Sequence, residues 1–218
     1  MSFALIGGTT AANNLLRATF TGVVADLGAG AGSTLDAASS LSLTELRPRL
    51  HVQLDRTRQP AAPGAVRLCA DLDGAALPFC DGVFDGVVCA HVLEHLHHPE
   101  RLLQQAHRVL RPSGMLVAAV PNGRALSDRM FRAWHRLFHG RGQRGCCHVQ
   151  RFTLHSFLRL VELSGFDVVH FSEIEESFSW LHKHPWLRRA LTAVHRVLLP
   201  LHRGTFLYGW HVVARRKR

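Results

Sequence analysis

Three groups of residues have types and spacings that suit chemistry. The first is Asp26-Leu27-Gly28-Ala29-Gly30-Ala31-Gly32, in which an acid stands two places before the first of three alternate glycines. It follows Val23-Val24 and precedes Ser33-Thr34-Leu35, so the chain reads as strand, glycine turn and helix. Such glycines bring main chain close to a ligand with no Cβ in the way, and a helix start near Ser33 offers unpaired N–H groups. This is the make-up of a nucleotide-cofactor loop, in the form D-x-G-x-G-x-G. It is not the dinucleotide form, because Ser33 stands where a third spaced glycine belongs. The second group is Asp55 and Asp71, acids at the ends of apolar runs, where an aspartate binds a ligand or simply forms a turn. The third is His91-Val92-Leu93-Glu94-His95, with His97 and His98 close behind and His148 further on. Imidazoles beside a carboxylate can move a proton near neutral pH or hold a metal.

The elements that must position these groups are short β-rich runs with helical patterns between them. The runs are Gly22 to Leu27, Leu50 to Leu54, Val66 to Ala70, Val83 to Cys89, Met115 to Val120, Phe166 to His170 and Phe206 to Val213. Alternation of this kind predicts a mainly parallel sheet. The clearest helix is Pro99 to Leu110, with Leu102, Leu103, Ala106 and Val109 at helical spacing and Arg111-Pro112-Ser113-Gly114 as its stop. A second is expected from Leu154 to Leu163, ended by Ser164-Gly165. Between the second and third strands Pro60 and Pro63 leave room only for a loop or a single turn.

From Arg67 to Asn122 the motifs stand in the order of a known family. Asp71-Leu72 closes the third strand, Leu77-Pro78-Phe79 and Phe84-Asp85 lead into the fourth, and Val92-Leu93-Glu94-His95 follows it. Arg108-Val109-Leu110-Arg111-Pro112-Ser113-Gly114 precedes the fifth. With the glycine loop before them and His148-Val149-Gln150-Arg151-Phe152-Thr153 and Ser164-Gly165-Phe166 after them, the chain resembles the class I S-adenosylmethionine-dependent methyltransferases. The resemblance is to their small-molecule branch, which includes the ubiquinone-biosynthesis and the sugar or natural-product O-methyltransferases. It covers residues 15 to 172 well and the last 46 loosely.

The resemblance implies an α/β fold: a Rossmann-like, doubly wound seven-stranded sheet, mainly parallel with an antiparallel last strand and with helices on both faces. It implies one domain over 1–218, with an N-terminal helix at 1–20, a substrate lid at 123–148 and a basic amphipathic segment at 173–205. The cofactor is then S-adenosyl-L-methionine, held by Asp26, Gly28, Ala29, Gly30, Gly32, Asp55, Asp71, Leu72 and His91. In such a site Asp26 holds the loop or receives the amino group, Asp55 accepts both ribose hydroxyls, and Asp71 and Leu72 flank the adenine. Asp85, at the far edge of the sheet from the ligand, is expected to be structural. Methyl transfer needs alignment and exclusion of water, and a hydroxyl acceptor must also lose a proton. His91, facing the methyl group, and His148, on the substrate side, are the catalytic candidates; the alternative for each is a histidine that only shapes the pocket.

No metal is expected. His91 to His95 spells H-x-x-E-H, the inverted zinc-protease motif, but within this order of motifs and with no obvious third ligand a peptidase does not follow. The related E-x-x-E-H of ubiquinone-pathway enzymes has a carboxylate where this chain has His91, and losing a hard oxygen ligand weakens the case for magnesium.

Charge bears on the acceptor. The formal net charge is +10, and all but Lys183 and Lys217 of the 26 basic residues are arginines. From Lys183 to Arg218 there is no acidic residue. Met130, Phe131, Trp134, Leu137 and Phe138 recur at helical spacing among arginines, and Trp186, Leu187, Ala190, Leu191, Val194, Val197 and Leu198 repeat the design. Basic amphipathic helices can lie on an anionic membrane, close over a pocket or pack on the domain. The five cysteines form no C-x-x-C pair and read as free thiols. No run is long and apolar enough for a membrane span, and residues 1–12 lack the pattern of a signal peptide. The expected location is cytoplasmic, with peripheral attachment at the inner membrane face as the variant. The expected function is O-methylation of a small-molecule, lipid or glycan-precursor acceptor. Its alternatives are methylation of RNA or another nucleic acid, favoured by charge but lacking the Asn/Asp-Pro-Pro-aromatic tetrapeptide, and a non-catalytic cofactor-binding relative.

Overall fold

A computed structural model of the chain describes residues 20–30, 48–74, 76–123, 148–175, 185–198 and 207–218. Seven strands form one sheet: β1 (Val23–Leu27), β2 (Leu50–Asp55), β3 (Ala65–Cys69), β4 (Phe84–Ala90), β5 (Leu110–Pro121), β6 (Phe166–Glu175) and β7 (Leu207–Arg216). Their order is β3-β2-β1-β4-β5-β7-β6. All pairs are parallel except those of β7, which runs antiparallel to both β5 and β6. This is the expected sheet. The central strands β1 and β4 are buried almost throughout, as parallel strands are when helices cover a sheet.

Helix α1 (Pro99–Val109) has a proline in its first turn and buries Leu102, Leu103, Ala106 and Val109. Its Arg108 donates to the Leu77 and Phe79 carbonyls and pairs with Asp81, tying the helix to the segment that leads into β4. Helix α2 (Leu154–Leu163) starts at a capping box in which Thr153 accepts from the Ser156 N–H and Ser156 accepts from the Thr153 N–H. It buries Phe157 and Val161. Helix α3 (Pro185–Leu198) lies between β6 and β7. Among the described residues no helix is long and apolar enough to cross a membrane.

Several expectations are corrected in detail. Arg111 to Gly114 does not precede β5 but lies inside it: β5 begins at Leu110 opposite Phe84 and shifts register between Phe84 and Gly86. The third strand ends at Cys69, so Asp71-Leu72 follows it rather than closing it. Residues 173–175 belong to β6 and not to the amphipathic segment. Asp85 does not precede β4 but is its second residue, accepting the Val23 N–H at 2.5 Å and pairing with Arg111. A side chain at Gly22 would overlap the Asp85 carboxylate, so this acid fastens β1 to β4. The expected N-terminal helix, up to residue 19, the helix after Ser33 and the lid over 124–147 lie outside the described residues.

A candidate cofactor cleft at the carboxyl edge of the sheet

The chain leaves β1 toward β2 and β3 on one side, then returns to build β4 and β5 on the other. The carboxyl ends of β1 and β4 therefore border a crevice where ligands of such sheets bind. A cleft of about 340 Å³ opens there, lined by Gly28, Gly30, Asp55, Arg56, Asp71, Leu72, Asp73, His91, Val92, His95, Leu96 and His97. Six of the expected residues, Gly28, Gly30, Asp55, Asp71, Leu72 and His91, thus meet on one wall system although they come from four separate loops.

The two described glycines of the loop are needed for different reasons. Gly30 has φ +52° and lines the cleft, and a Cβ there would meet nothing within 4 Å among the described residues. Gly28 has φ +82°, and its Cβ would stand 2.5 Å from Val92 Cγ2. Its absent side chain accommodates the turn after β4, a second reason for glycine at a position that also lines the cleft. The Gly28 and Ala29 N–H groups both donate to the Leu54 carbonyl, at 2.8 and 3.1 Å. Ala29 is buried, and neither it nor Asp26 lines the cleft. Asp26 is fully buried with its carboxylate 3.9 Å from His51 Nε2. Gly32 lies outside the described residues.

Asp55 is held ready. Its Oδ2 accepts the Gly30 N–H at 2.8 Å, and its Oδ1 accepts the Thr57 N–H at 2.8 Å and the Thr57 hydroxyl at 2.7 Å. Partial burial raises its pKa, but the bonds from Thr57 and Gly30 and the charge of Arg67 outweigh this, so the carboxyl stays below its usual range. Arg67 donates to the Gly30 carbonyl and so clamps the loop from the other side. Neither Thr57 nor Arg67 was expected at the site. Thr57 had a signal, the D-x-T spacing of a side-chain turn, whereas Arg67 reaches Gly30 only because β3 pairs with β2.

Beyond the glycine loop, Asp73 also lines the cleft. It accepts the N–H groups of His97 and His98 and faces the His97 Nδ1 at 2.5 Å. Desolvation opposes its ionisation, but these bonds lower its pKa to about 2.

His91 follows β4 with φ +55°, a left-handed backbone that a side chain of this kind rarely adopts, and its N–H donates to the Ala119 carbonyl at 2.9 Å. Strain of this sort persists where surrounding structure enforces it, often at functional sites. Glu94 is buried behind it, with Oε1 3.5 Å from His91 Nδ1 and 4.0 Å from His95 Nε2. Leu93–His95 is a single 3-10 turn and not an α-helix, so His91 and His95 do not share the helix face that the zinc-protease motif requires. His148 does not line the cleft. The Val149 and Gln150 N–H groups donate to the Glu94 carbonyl, which brings the His148 ring to 4.9 Å from that of His95. Glu94, His95 and His148 put ligand atoms within 4.8 Å of one another, the one such group among the described residues. Two imidazoles and a carboxylate suit a transition ion better than magnesium.

A further histidine carried no motif. His211, on β7 opposite Ala119, has its pKa pushed down to about 4 by burial and then by the charge of His91. The folded chain therefore keeps His211 neutral where the unfolded chain, with a pKa near 6.5, takes up a proton. Stability should fall as pH drops from about 6.5 to 4. Asp73 acts in the next window: its folded pKa lies below the unfolded value, so its contribution is complete above about pH 4 and disappears toward pH 2. Urea midpoints measured against pH should show both slopes, with His211→Gln flattening the first and Asp73→Asn the second.

A family model described as a methyltransferase domain matches residues 21–171. Over 85 residues the chain is 29% identical to the biotin biosynthesis bifunctional protein BioHC of Saccharophagus degradans, covering 39% of this chain and only 15% of that protein. In structure it is similar to an S-adenosylmethionine-dependent methyltransferase from Mesorhizobium loti, with a TM-score of 0.58 and 21% identity over 96% of this chain and 99% of the other. It is also similar to the 1,6-didemethyltoxoflavin-N1-methyltransferase of Burkholderia thailandensis, solved with bound 1,6-didemethyltoxoflavin and S-adenosylhomocysteine. There the TM-score is 0.56 and the identity 15%, over 95% of this chain and 77% of the other. At these identities the two structures establish the fold.

Proposed function

The chain belongs to the class I S-adenosylmethionine-dependent methyltransferases, and from that membership we propose that it methylates an oxygen of a small-molecule, lipid or glycan-precursor acceptor. The observation that carries the cofactor part of this reading is that Gly28, Gly30, Asp55, Asp71, Leu72 and His91 line one cleft. When bound, S-adenosyl-L-methionine supplies an electrophilic sulfonium methyl group. The residues fit such a group: the main chain at Gly30 borders open space, and Asp55 is ionised and fixed beside it. Asp55 has roughly four lone-pair sites and the protein uses three, so it grips one ribose hydroxyl as it stands and a second if the Thr57 hydroxyl turns away. Asp71 and Leu72 receive the adenine. Asp26, buried under the loop, acts by holding the strand end and not by touching the ligand.

His91 takes the acceptor proton. It lies on the wall of the cleft, and the buried Glu94 carboxylate behind its Nδ1 stabilises the positive charge that the ring gains. His148, pressed against His95 outside the cleft, has a positioning role on the acceptor side. The reading includes action in the cytoplasm, with peripheral attachment to the inner membrane face where the acceptor is lipid-borne.

The test is titration of the protein with S-adenosylmethionine, followed by a screen of hydroxylated acceptors with labelled methyl donor. His91→Ala should lower kcat by about 100-fold or more, well beyond any change in cofactor affinity. Absence of cofactor binding by the intact chain would refute the proposal. An unchanged kcat in His91→Ala would remove His91 from the mechanism.

A further inference from the structure

Helix α3 shows a face that the cleft does not use. Trp186, Arg189, Ala190, Ala193, Val194 and Val197 are all exposed, with Trp186 at 71% and Val197 at 73%. Their spacing is i, i+3, i+4, i+7, i+8 and i+11, so they form one stripe along the helix, apolar except for Arg189. A helix packed on its domain buries such a stripe, and here it faces outward.

Charge identifies what covers it. The helix contains Arg188, Arg189 and Arg196 and no acidic residue, and none occurs anywhere from Lys183 to Arg218. A second copy meeting the first along this stripe would set Arg189 and its neighbours against like charges. A nucleic acid would match the charge but not the row of tryptophan, alanine and valine. An anionic bilayer matches both, because apolar side chains enter the acyl boundary while arginines meet headgroup phosphates and tryptophan suits the interface.

Topology ties this face to the cleft. Glu175 pairs with Leu207, and Pro121 pairs with Gly209, so the β6–β7 connection that carries α3 leaves and rejoins the sheet at the end where β5 finishes. The cleft opens at that same carboxyl edge. We propose that the outward face of α3 docks on an anionic membrane and that the acceptor is an amphiphile drawn from it. The docking stands on the helix alone; the nature of the acceptor rests on the methyltransferase reading of the cleft.

The experiment is flotation of the full chain with phosphatidylcholine vesicles, with or without phosphatidylglycerol, at low and high salt and without cofactor. The intact protein should float only with the anionic vesicles and less at high salt. Val197→Asp and Arg189→Glu, both at exposed positions, should each weaken flotation by about tenfold while leaving cofactor affinity and thermal stability unchanged. Failure to float with anionic vesicles, equal flotation of the variants, or a dimer in ultracentrifugation that Val197→Asp dissociates would each overturn the docking. Flotation without any cofactor binding would keep the docking and remove only the proposed acceptor.

Discussion

Replacing Asp55 by alanine is expected to weaken binding of S-adenosylmethionine by about 100-fold, with little loss of fold. In the proposed site the carboxylate has two tasks: it offers charge to the ligand, and it fixes the Gly30 N–H and Thr57 around the cleft. A hydrogen bond to a charged group contributes about 1.5–3 kcal/mol, and each 1.4 kcal/mol is tenfold in affinity. Loss of a ribose contact together with loosening of the loop therefore reaches about two orders of magnitude. The fold survives because Asp55 lies at the end of β2 and is only partly buried, so its removal leaves no deeply buried donor. Asparagine is expected to be nearly as damaging. It has a single acceptor oxygen, and when that oxygen faces Gly30 its amide N–H groups confront the Thr57 N–H, donor against donor. Calorimetric titration of the two variants with S-adenosylhomocysteine, beside circular dichroism of each, decides it. Wild-type affinity in Asp55→Ala would remove Asp55 from the site.

Most of this sheet could be read from the sequence because parallel central strands are buried on both faces and so appear as apolar-rich segments, as in Val23-Val24-Ala25 of β1 and Val87-Val88-Cys89-Ala90 of β4. The strands that were read too short are those for which this reason fails. β6 is an edge strand, and its His170 and Ser172 interrupt the apolar run while the antiparallel ladder with β7 continues to Glu175. β5 extends back through Arg111 to Gly114 because it pairs with β4 at Leu110, and Ser113 takes φ +65° to pass the register shift. Helical stop signals and an irregular strand look alike in one dimension.

The candidate site divides along the same line. Residues named by local motifs, Gly28, Gly30, Asp55, Asp71 and His91, meet at the cleft because strand ends in a doubly wound sheet are neighbours whatever their separation in sequence. Arg67 and His211 escaped because their roles depend on strand register and on a pairing near the end of the chain. The His91–His95 spacing misleads for a further reason. A spacing of four signifies a shared face only inside a helix, and Leu96 returns to extended backbone after a single 3-10 turn.

Gly28→Ala and Gly30→Ala should fail in different ways although the motif writes both positions with the same letter. At Gly28 an alanine must hold φ +82° with its Cβ 2.5 Å from Val92 Cγ2 and 2.6 Å from Val92 Cβ. Left-handed backbone costs about 1–2 kcal/mol and overpacking about 1–3 kcal/mol, a large share of the roughly 5–15 kcal/mol that holds a domain together. The turn that carries Val92 also carries His91, so what relief the chain finds moves the proposed base. Val92→Ala should not rescue the variant, because the overlap with the Val92 Cβ remains. At Gly30 only the backbone strain applies, since among the described residues no atom lies within 4 Å of the new methyl group, and the position lines the cleft proposed to hold the ligand. Urea denaturation and cofactor titration of both variants separate the cases: a large loss of stability for Gly28→Ala, and for Gly30→Ala a small one with weakened binding. Equal stability of the two would show that the loop does not pack on the turn after β4.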